Sequence, residues 1–264
     1  MVILENVQKI FHKNTPNENH ALVDVSLKIE DGDFITVIGS NGAGKSTMLN
    51  AVAGVFPIDG GKIILDGQDI TNLPEYKRAA FIGRVFQDPM LGTAPSMTIE
   101  ENLSMAYARP NNLALRWGLD FNRRKQFKEY LKNIPLGLEN RLSTKVKLLS
   151  GGQRQALTLI MATMKKPKLL LLDEHTAALD PKTALLVNSL TEEIIHKNKI
   201  TTIMVTHNLE HAIKMGNRLI MMHKGRIVMD IKGEEKSTMT IPRLLNKFEQ
   251  LQGEKFVEDR VMLA

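Results

Sequence analysis

The sequence predicts an α/β fold, and three observations carry that prediction. Short apolar runs, at residues 34–38 and 169–172 for example, have the length and composition of strands buried on both faces. Helical patterns alternate with such runs, which is typical of a parallel or mixed sheet. A glycine-rich loop, GSNGAGKS, stands between the first of these strands and a helix. A sheet with a ligand site at the end of its strands follows from the three together.

The N-terminal elements alternate strands with turns. Residues 1–30 predict two strands around the turn-rich loop KNTPNENH. FITVI at 34–38 predicts a buried strand, and the segment TMLNAVAGV predicts a helix with Gly54 as its C-cap. GKIILDGQDI predicts one arm of a hairpin with an Asp-Gly turn.

Between residues 88 and 165 the alternation typical of strands disappears and helix-forming residues dominate. The predicted helical segments are TIEENLSMAYA, RRKQFKEYLKNI and GGQRQALTLIMATMKK. KLLLLD then predicts a strand, PKTALLVNSLTEEIIHK a helix, ITTIMVTH a strand, NLEHAIKMG a short helix and RLIMMHKGRIVMDIK a hairpin. The predicted domains are therefore a core at 1–87 and 166–235, a helical subdomain at 88–165, and a C-terminal helical tail at 236–264.

Composition excludes several classes of protein. The 264 residues contain no cysteine, so neither a disulfide framework nor a thiolate metal site is expected. The start MVILENVQKI lacks the pattern of a signal peptide, and no apolar run approaches the roughly 18 residues of a membrane span. An ordinary solvated surface explains the net charge of +6 best, and the alternative is an anionic partner such as a nucleotide, a membrane surface or a nucleic acid. Aromatic residues make up only 5%, too few for stacking on single-stranded nucleic acid, and no nucleic-acid partner is expected.

The loop GSNGAGKS matches G-x-x-x-x-G-K-[ST] in the strand–loop–helix context that this pattern requires. Gly39, Gly42 and Gly44 permit a tight loop whose N–H groups converge on phosphate oxygens. The following helix adds the positive end of its dipole. Lys45 can reach the β- and γ-phosphates, and the Ser46 hydroxyl can ligate Mg²⁺. The loop predicts a nucleoside triphosphate site.

The stretch LLLLDEHTAALD places two acids directly after a buried strand. In proteins with a phosphate loop, a second strand usually carries an acid to Mg²⁺. Asp173 is therefore predicted to hold Mg²⁺, directly or through water, and Glu174 to act as a general base on an attacking water. Without the phosphate loop, an ordinary strand exit with solvated acids would be the better explanation.

Residues 149–153 read LSGGQ, and with the phosphate loop and the DE pair they make residues 1–235 closely resemble the ATP-binding subunits of ABC transporters. Gln87 resembles the Q-loop glutamine, Asp180 ends a sequence similar to the D-loop, and His207 resembles the switch histidine. Phe11 lies where this family has an aromatic ring that stacks on adenine. The resemblance implies a P-loop NTPase fold with an ABC-type core, in which a mixed sheet has antiparallel edge strands, plus a helical subdomain.

The resemblance also implies a set of site residues. Glu174 and His207 would be catalytic, and Ser46, Gln87 and Asp173 would be associated with Mg²⁺. The residues expected to contact ATP are Phe11, Gly39, Ser40, Asn41, Gly42, Ala43, Gly44, Lys45, Ser46, Thr47, Gln87, Ser150, Gly151, Gly152, Gln153 and Asp180. The signature LSGGQ opens a helix, which makes it a second anion site. The family resolves two such sites in one chain by a head-to-tail homodimer that binds two ATP.

The partners implied are an integral membrane permease and an extracytoplasmic substrate-binding protein, with this chain peripheral on the cytoplasmic face of the membrane. The helical insert after Gln87 would receive a coupling helix of the permease. The run DEHTAALDP resembles importers of amino acids. The alternatives are an exporter ATPase and a soluble ABC ATPase of iron–sulfur assembly or of nucleic-acid processes.

One departure from the family pattern concerns the catalytic turn. The family usually has Pro after the catalytic Glu, whereas this chain has His175. The change is expected to loosen the backbone and add a titratable group, and neutral drift at a tolerant position explains it best. His12, His20, His196 and His223 are expected at the surface or at strand edges.

Overall fold

The computed structural model describes residues 1–108, 121–132 and 134–252. It has two compact units, the first comprising Met1–Arg78 with Lys199–Ala264 and the second comprising Ala79–Asn198. The second unit includes more residues than the helical subdomain predicted at 88–165, because it also contains two strands and a long helix. The predicted domain boundaries stay a prediction.

The elements of the described residues follow in chain order. They are β1 (Val2–Phe11), β2 (Asn19–Ile29), β3 (Phe34–Ile38), α1 (Lys45–Ala53), β4 (Gly60–Leu65), β5 (Gln68–Asp69), α2 (Glu75–Arg78), β6 (Ile82–Val85), α3 (Ile99–Ala108), α4 (Phe121–Lys132), 3₁₀ turns at Leu138–Asn140 and Val146–Leu148, α5 (Gly151–Thr163), β7 (Leu169–Asp173), α6 (Pro181–Asn198), β8 (Thr202–Val205), α7 (Leu209–Lys214), β9 (Arg218–His223), β10 (Arg226–Lys232), α8 (Glu234–Ser237) and α9 (Ile241–Gln252).

The first unit contains two groups of strands. An antiparallel sheet has the order β2-β1-β4-β5. In the other group, β3 pairs in parallel with both β8 and β9, and β10 pairs antiparallel with β9 at the edge. All five residues of β3 are buried, as expected of a strand covered on both faces. The mixed sheet with antiparallel edge strands is thereby confirmed.

The C-terminal helix α9 covers an apolar cluster of the first unit. Leu244 and Phe248 of α9 pack with Ile38, Leu219 and residues of α7. This helix confirms helical structure in the tail over residues 241–252, while residues 253–264 lie outside the described part. The expectation for His223 is wrong: its ring is buried and lies edge-on to Phe248, with the ring centroids 5.9 Å apart. The reason is tertiary, because α9 covers the end of β9.

The helix that follows the phosphate loop is stabilised at its C-terminus by a buried cation. Arg78 is 2% exposed and donates hydrogen bonds of 2.8–2.9 Å to the carbonyls of Ala51, Val52, Thr71 and Leu73. Two of these acceptors belong to the last turn of α1, whose carbonyls have no partner within the helix. Burial lowers the pKa of Arg78, and this lowering is partly offset by the charge of Asp69.

The second unit combines helices α3 to α6 with a parallel pair of strands, β6 and β7. Helices at α3, α4, α5 and α6 match the predicted segments. The sequence did not indicate β6, because four residues with a glycine and an arginine carry little strand pattern. Its Gly83 is required by packing: a Cβ there would lie 2.6 Å from the carbonyl oxygen of Ala162 in α5. In the part of the chain that the structure describes, no helix is long and apolar enough to cross a membrane.

Candidate nucleotide-binding site

The phosphate loop connects β3 to α1 in a conformation that requires glycine. Gly39, Gly42 and Gly44 have φ angles of 149°, 76° and 98°, which side chains of other residues rarely allow. A Cβ at Gly39 would lie 2.2 Å from the carbonyl oxygen of Met222, and one at Gly44 would lie 2.5 Å from that of Ala21. The backbone therefore approaches its neighbours too closely for any other residue at these two positions.

The side chain of Lys45 folds back onto the phosphate loop and is not exposed to solvent. Its side chain is buried, and Nζ donates to the carbonyl oxygens of Gly39 at 2.7 Å and Ser40 at 3.0 Å. The helix begins after Gly44, an N-cap without a side-chain hydrogen bond to the first turn. N–H groups at a helix N-terminus that no side chain caps are suited to an anion. Among the other residues predicted to contact ATP in this loop, Asn41, Gly42 and Ser46 are exposed. Ala43 is buried and Thr47 is half-buried.

His207 follows the strand next to β3. The parallel register pairs Val37 with Val205, and the N–H of Thr206 donates to the carbonyl of Val37 at 3.1 Å. Parallel neighbours end at the same edge of a sheet, so half-buried His207 lies at the edge where the phosphate loop begins. Asn208 caps the next helix, accepting from a backbone N–H at 2.9 Å. The structure thus brings together the phosphate loop and the predicted switch histidine.

Phe11, the residue predicted to stack on adenine, lies at the end of β1 among residues that the sequence did not indicate. Its ring is edge-on to Phe56, with centroids 5.3 Å apart. The Lys9 ammonium is 5.4 Å and 5.3 Å from the two ring centroids and 3.1 Å from Asp59. A hydrogen bond from the Ile10 N–H, together with Lys9, lowers the pKa of Asp59. The cation and the second ring restrict how the Phe11 ring can turn.

In the second unit, two neighbouring strands present two of the three residues that were predicted to be associated with Mg²⁺. Val85 of β6 pairs with Leu172 of β7, so exposed Gln87 and half-exposed Asp173 follow the same edge of this pair. The amide oxygen of Gln87 and the carboxylate of Asp173 are oxygen donors, and the third predicted donor, the hydroxyl of Ser46, belongs to the first unit. These oxygen donors fit a hard cation that keeps water and binds phosphate oxygens. Glu174 follows immediately and is half-exposed, with a φ of 45°.

The signature forms the N-terminus of α5 as predicted. Ser150 is its N-cap: Oγ accepts from the Gln153 N–H at 3.3 Å, and Gln153 Oε1 accepts from the Ser150 N–H at 3.2 Å. This reciprocal pair is a capping box. Gln153 Nε2 also donates to the carbonyl of Leu136, and Arg141 donates to Oε1. The Gln153 side chain therefore stabilises the helix start, and its contact with nucleotide stays a prediction.

Thr183 connects the signature to Asp180. Two hydrogen bonds from Thr183, through its side chain and its N–H, lower the pKa of the exposed Asp180 carboxyl. In the second of these, the backbone N–H of Thr183 donates to Oδ1 of Asp180 with an N···O distance of 3.0 Å, and this hydrogen bond caps α6. A Cβ at Gly152 would lie 2.0 Å from Cγ2 of Thr183, so glycine is needed where α5 passes α6. The sequence carries no local signal for this contact, because it joins two segments that are distant in the chain.

The comparisons with known proteins decide the family. An ABC transporter family matches residues 22–177 of the chain. The tyrosine transport ATP-binding protein of Clostridioides difficile (strain R20291) is 49% identical over 249 residues, which cover 94% of this chain and 99% of that protein. The chain belongs to the ABC transporter family. It is an ATP-binding subunit and an ATPase, as the motifs predicted.

Other members of the ABC transporter family are similar over most of the chain. The spermidine/putrescine import ATP-binding protein of Haemophilus influenzae (strain ATCC 51907 / DSM 11121 / KW20 / Rd) is 36% identical over 87% of this chain, which spans 57% of that protein's length. The dimeric post-hydrolysis structure of the cassette MJ0796 with ADP and Pi has a TM-score of 0.75 and 30% identity, covering 88% of this chain and 98% of that one. The ADP conformation of MJ1267 has a TM-score of 0.76 and 28% identity, covering 94% and 98%. The ABC-type fold is confirmed.

Replacing Lys45 by Ala is expected to weaken ATP binding by about tenfold to a hundredfold, the range for a lost charge-assisted hydrogen bond of roughly 1.5–3 kcal/mol. Titration with ATP of the variant and of the wild-type chain measures the effect. Lys62→Ala, which removes an exposed lysine from β4, is the control and should bind as the wild type does. Equal affinities for Lys45→Ala and Lys62→Ala would contradict the phosphate-loop assignment.

Proposed function

We propose that this chain is the energy-coupling ATPase of an amino-acid importer and that it works as a homodimer on a separate membrane permease. The 49% identity to a tyrosine transport ATP-binding protein, over nearly the full length of both chains, carries this proposal. An aromatic amino acid is the substrate class that this relative supports. The run DEHTAALDP, already typical of amino-acid importers, agrees with it.

The two elements that were predicted to bind phosphate support a head-to-tail dimer. The phosphate loop belongs to the first unit, and the capped N-terminus of α5 belongs to the second. At α5, Ser150 and Gly151 are exposed, so the helix end is open to a ligand. Each ATP would lie between the phosphate loop of one subunit and the signature of the other, with Asp180 near the seam. The related cassette MJ0796 is dimeric in its structure with ADP and Pi, which supports this arrangement.

For hydrolysis, Glu174 accepts a proton from the attacking water while Lys45 and His207 contact the γ-phosphate. Ser46, Asp173 and Gln87 are the residues that would hold Mg²⁺, which when bound would supply positive charge to the phosphate oxygens. The positions of Asp173 and Glu174 suit both roles, because both residues are half-exposed and lie at, or directly after, the end of the buried strand β7.

The permease contact is proposed on the second unit. Met90, Leu91 and Met105 are 40%, 69% and 45% exposed, and they lie shortly after Gln87 and on α3. Exposed apolar side chains that form one contiguous patch are typical of an interaction site. A coupling helix of a membrane permease would cover them, which would place this chain on the cytoplasmic face of the membrane. An extracytoplasmic binding protein would supply the substrate.

A second candidate substrate class is polyamines, because spermidine/putrescine import proteins are 36% identical to this chain. Uptake assays in the host organism separate the two. A chromosomal Lys45→Ala replacement should abolish uptake of labelled tyrosine and leave labelled spermidine uptake unchanged, with Lys62→Ala as the control for both. Loss of spermidine uptake alone would replace the amino acid by a polyamine as substrate.

Purification of the tagged chain from host membranes tests the transport role itself. A multi-span membrane protein should co-purify, and replacing both Met90 and Leu91 by Ser should reduce its yield without lowering the ATP affinity. If no membrane protein co-purifies under conditions that preserve ATPase activity, a soluble ABC ATPase becomes the better assignment.

A further inference from the structure

The residue after Glu174 is part of the core of the second unit. His175 is 3% exposed, and its Nε2 lies 3.1 Å from Oγ1 of Thr191 in α6. Thr191 is fully buried. This burial and this hydrogen bond argue against the expectation that His175 replaces proline at a tolerant position, since both constrain the side chain.

The direction of the bond follows from the single proton of the threonine hydroxyl. Oγ1 of Thr191 donates to the carbonyl of Val187, one helical turn earlier, at 2.7 Å. The same oxygen can then only accept from His175. Nε2 of His175 consequently carries a proton, a tautomer assigned from the hydrogen-bond network. Proline at position 175 would present no donor to Thr191.

The backbone at Glu174 needs support from its surroundings. Its φ of 45° is left-handed, a conformation that costs a residue other than glycine on the order of 1 kcal/mol or more. On one side, Glu174 is continuous with the buried strand β7. On the other, its carbonyl accepts from the N–H of Ala177 at 2.9 Å, and the next side chain is bonded to α6. His175 thus supplies a side-chain connection between this turn and a long helix.

We propose that His175 is a positioning residue for Glu174: by donating from Nε2 to Thr191 it holds the turn in the conformation that aims the Glu174 carboxylate at the attacking water. This inference rests on the proposed role of Glu174 as the general base. A displacement of about 1 Å at a reacting group can cost on the order of a hundredfold in rate. The histidine therefore acts on turnover and not on nucleotide binding.

Four substitutions in the full chain separate the hydrogen bond from the shape of the side chains. His175→Leu removes the donor, and Thr191→Val removes the acceptor at nearly constant size. His175→Gln and Thr191→Ser keep a donor and an acceptor, respectively. We expect His175→Leu and Thr191→Val to lower kcat by about tenfold with an unchanged KM for ATP, and His175→Gln and Thr191→Ser to retain most of the wild-type kcat.

The double variant His175→Leu/Thr191→Val should be no slower than the slower single variant, because both remove the same bond. In a Glu174→Gln background, His175→Leu should cause no further loss. Wild-type kcat in both His175→Leu and Thr191→Val, or a raised KM with an unchanged kcat, would overturn the proposal. Thermal unfolding checks each variant. If His175→Leu does not fold, the difference in kcat between Thr191→Val and Thr191→Ser decides, and equal values overturn the proposal.

Failure of this proposal is distinguishable from failure of the proposed function. If Glu174→Gln hydrolyses ATP as fast as the wild type, Glu174 is not the base, and both proposals fail. If Glu174→Gln is inactive while His175→Leu and Thr191→Val turn over normally, only the positioning role of His175 fails.

Discussion

Glu174→Gln is expected to lower ATP turnover by about a hundredfold or more while Mg-ATP still binds. The carboxylate is proposed to accept the proton of the attacking water, and a general base contributes typically 10²–10⁴-fold to a rate. The amide keeps the size of the side chain but has no basic oxygen. Phosphate release measures turnover, and size-exclusion chromatography with Mg-ATP should show a dimer that persists because its nucleotide is not hydrolysed.

The matched control is Glu193→Gln, which makes the same chemical change at an exposed position of α6. It should hydrolyse ATP at the wild-type rate and show no persistent dimer. A Glu174→Gln variant with wild-type turnover would exclude Glu174 as the base. A slow variant that stays monomeric with Mg-ATP would keep the catalytic role and contradict the ATP-closed dimer.

Gly152→Ala is expected to cost about 1–3 kcal/mol of stability, the usual range for overpacking, and to reduce ATPase activity strongly. The added Cβ would lie 2.0 Å from Cγ2 of Thr183, a distance that atoms do not tolerate. Either Thr183 turns and loses its side-chain hydrogen bond to Asp180, or the start of α5 or of α6 moves, and these helix starts carry Ser150 and Asp180. Thermal or urea unfolding measures the stability, and phosphate release measures the activity.

Two further substitutions test whether the effect is steric. Thr183→Ser in the Gly152→Ala background removes Cγ2 and keeps the hydroxyl that bonds to Asp180, so it should restore much of the lost stability. Thr183→Val keeps a methyl group in the same place and should restore none. Gly151→Ala is the control that makes the same glycine-to-alanine change without a clash. Its Cβ would lie 3.4 Å from Leu179, so the stability should be nearly unchanged. Equal destabilisation by Gly151→Ala and Gly152→Ala would contradict the steric explanation.

The parts of the fold that the sequence predicted are those with local causes. The buried strands β3 and β7 are visible as apolar runs, and the amphipathic helix α6 as a 3.6-residue period. The phosphate loop is equally local, since its glycines satisfy backbone angles within one turn. Strand β6 carries no local sequence pattern of this kind, because its four residues form a strand by pairing with β7.

The missed residues near the site share one property, which is that their partners are distant in sequence. Phe56 packs against Phe11, Asp59 holds Lys9 beside these two rings, and Thr183 meets Gly152. Thr191 offered a faint signal, as a polar residue at the buried face of α6 four residues after Val187. That signal shows burial without showing the partner, and only the folded chain places His175 beside it.

The amino-acid sequence by itself determined the family, the phosphate loop, the signature and the identity of the candidate catalytic residues, because these depend on residue types at short, set spacings. The tertiary structure decided which side chains support them. His175 changed from a tolerated substitution to a buried donor, and Gly152 from a member of a motif to a packing requirement. The physical reason is that burial and close contact arise between segments separated in the chain, and no local pattern records which segment will be the neighbour.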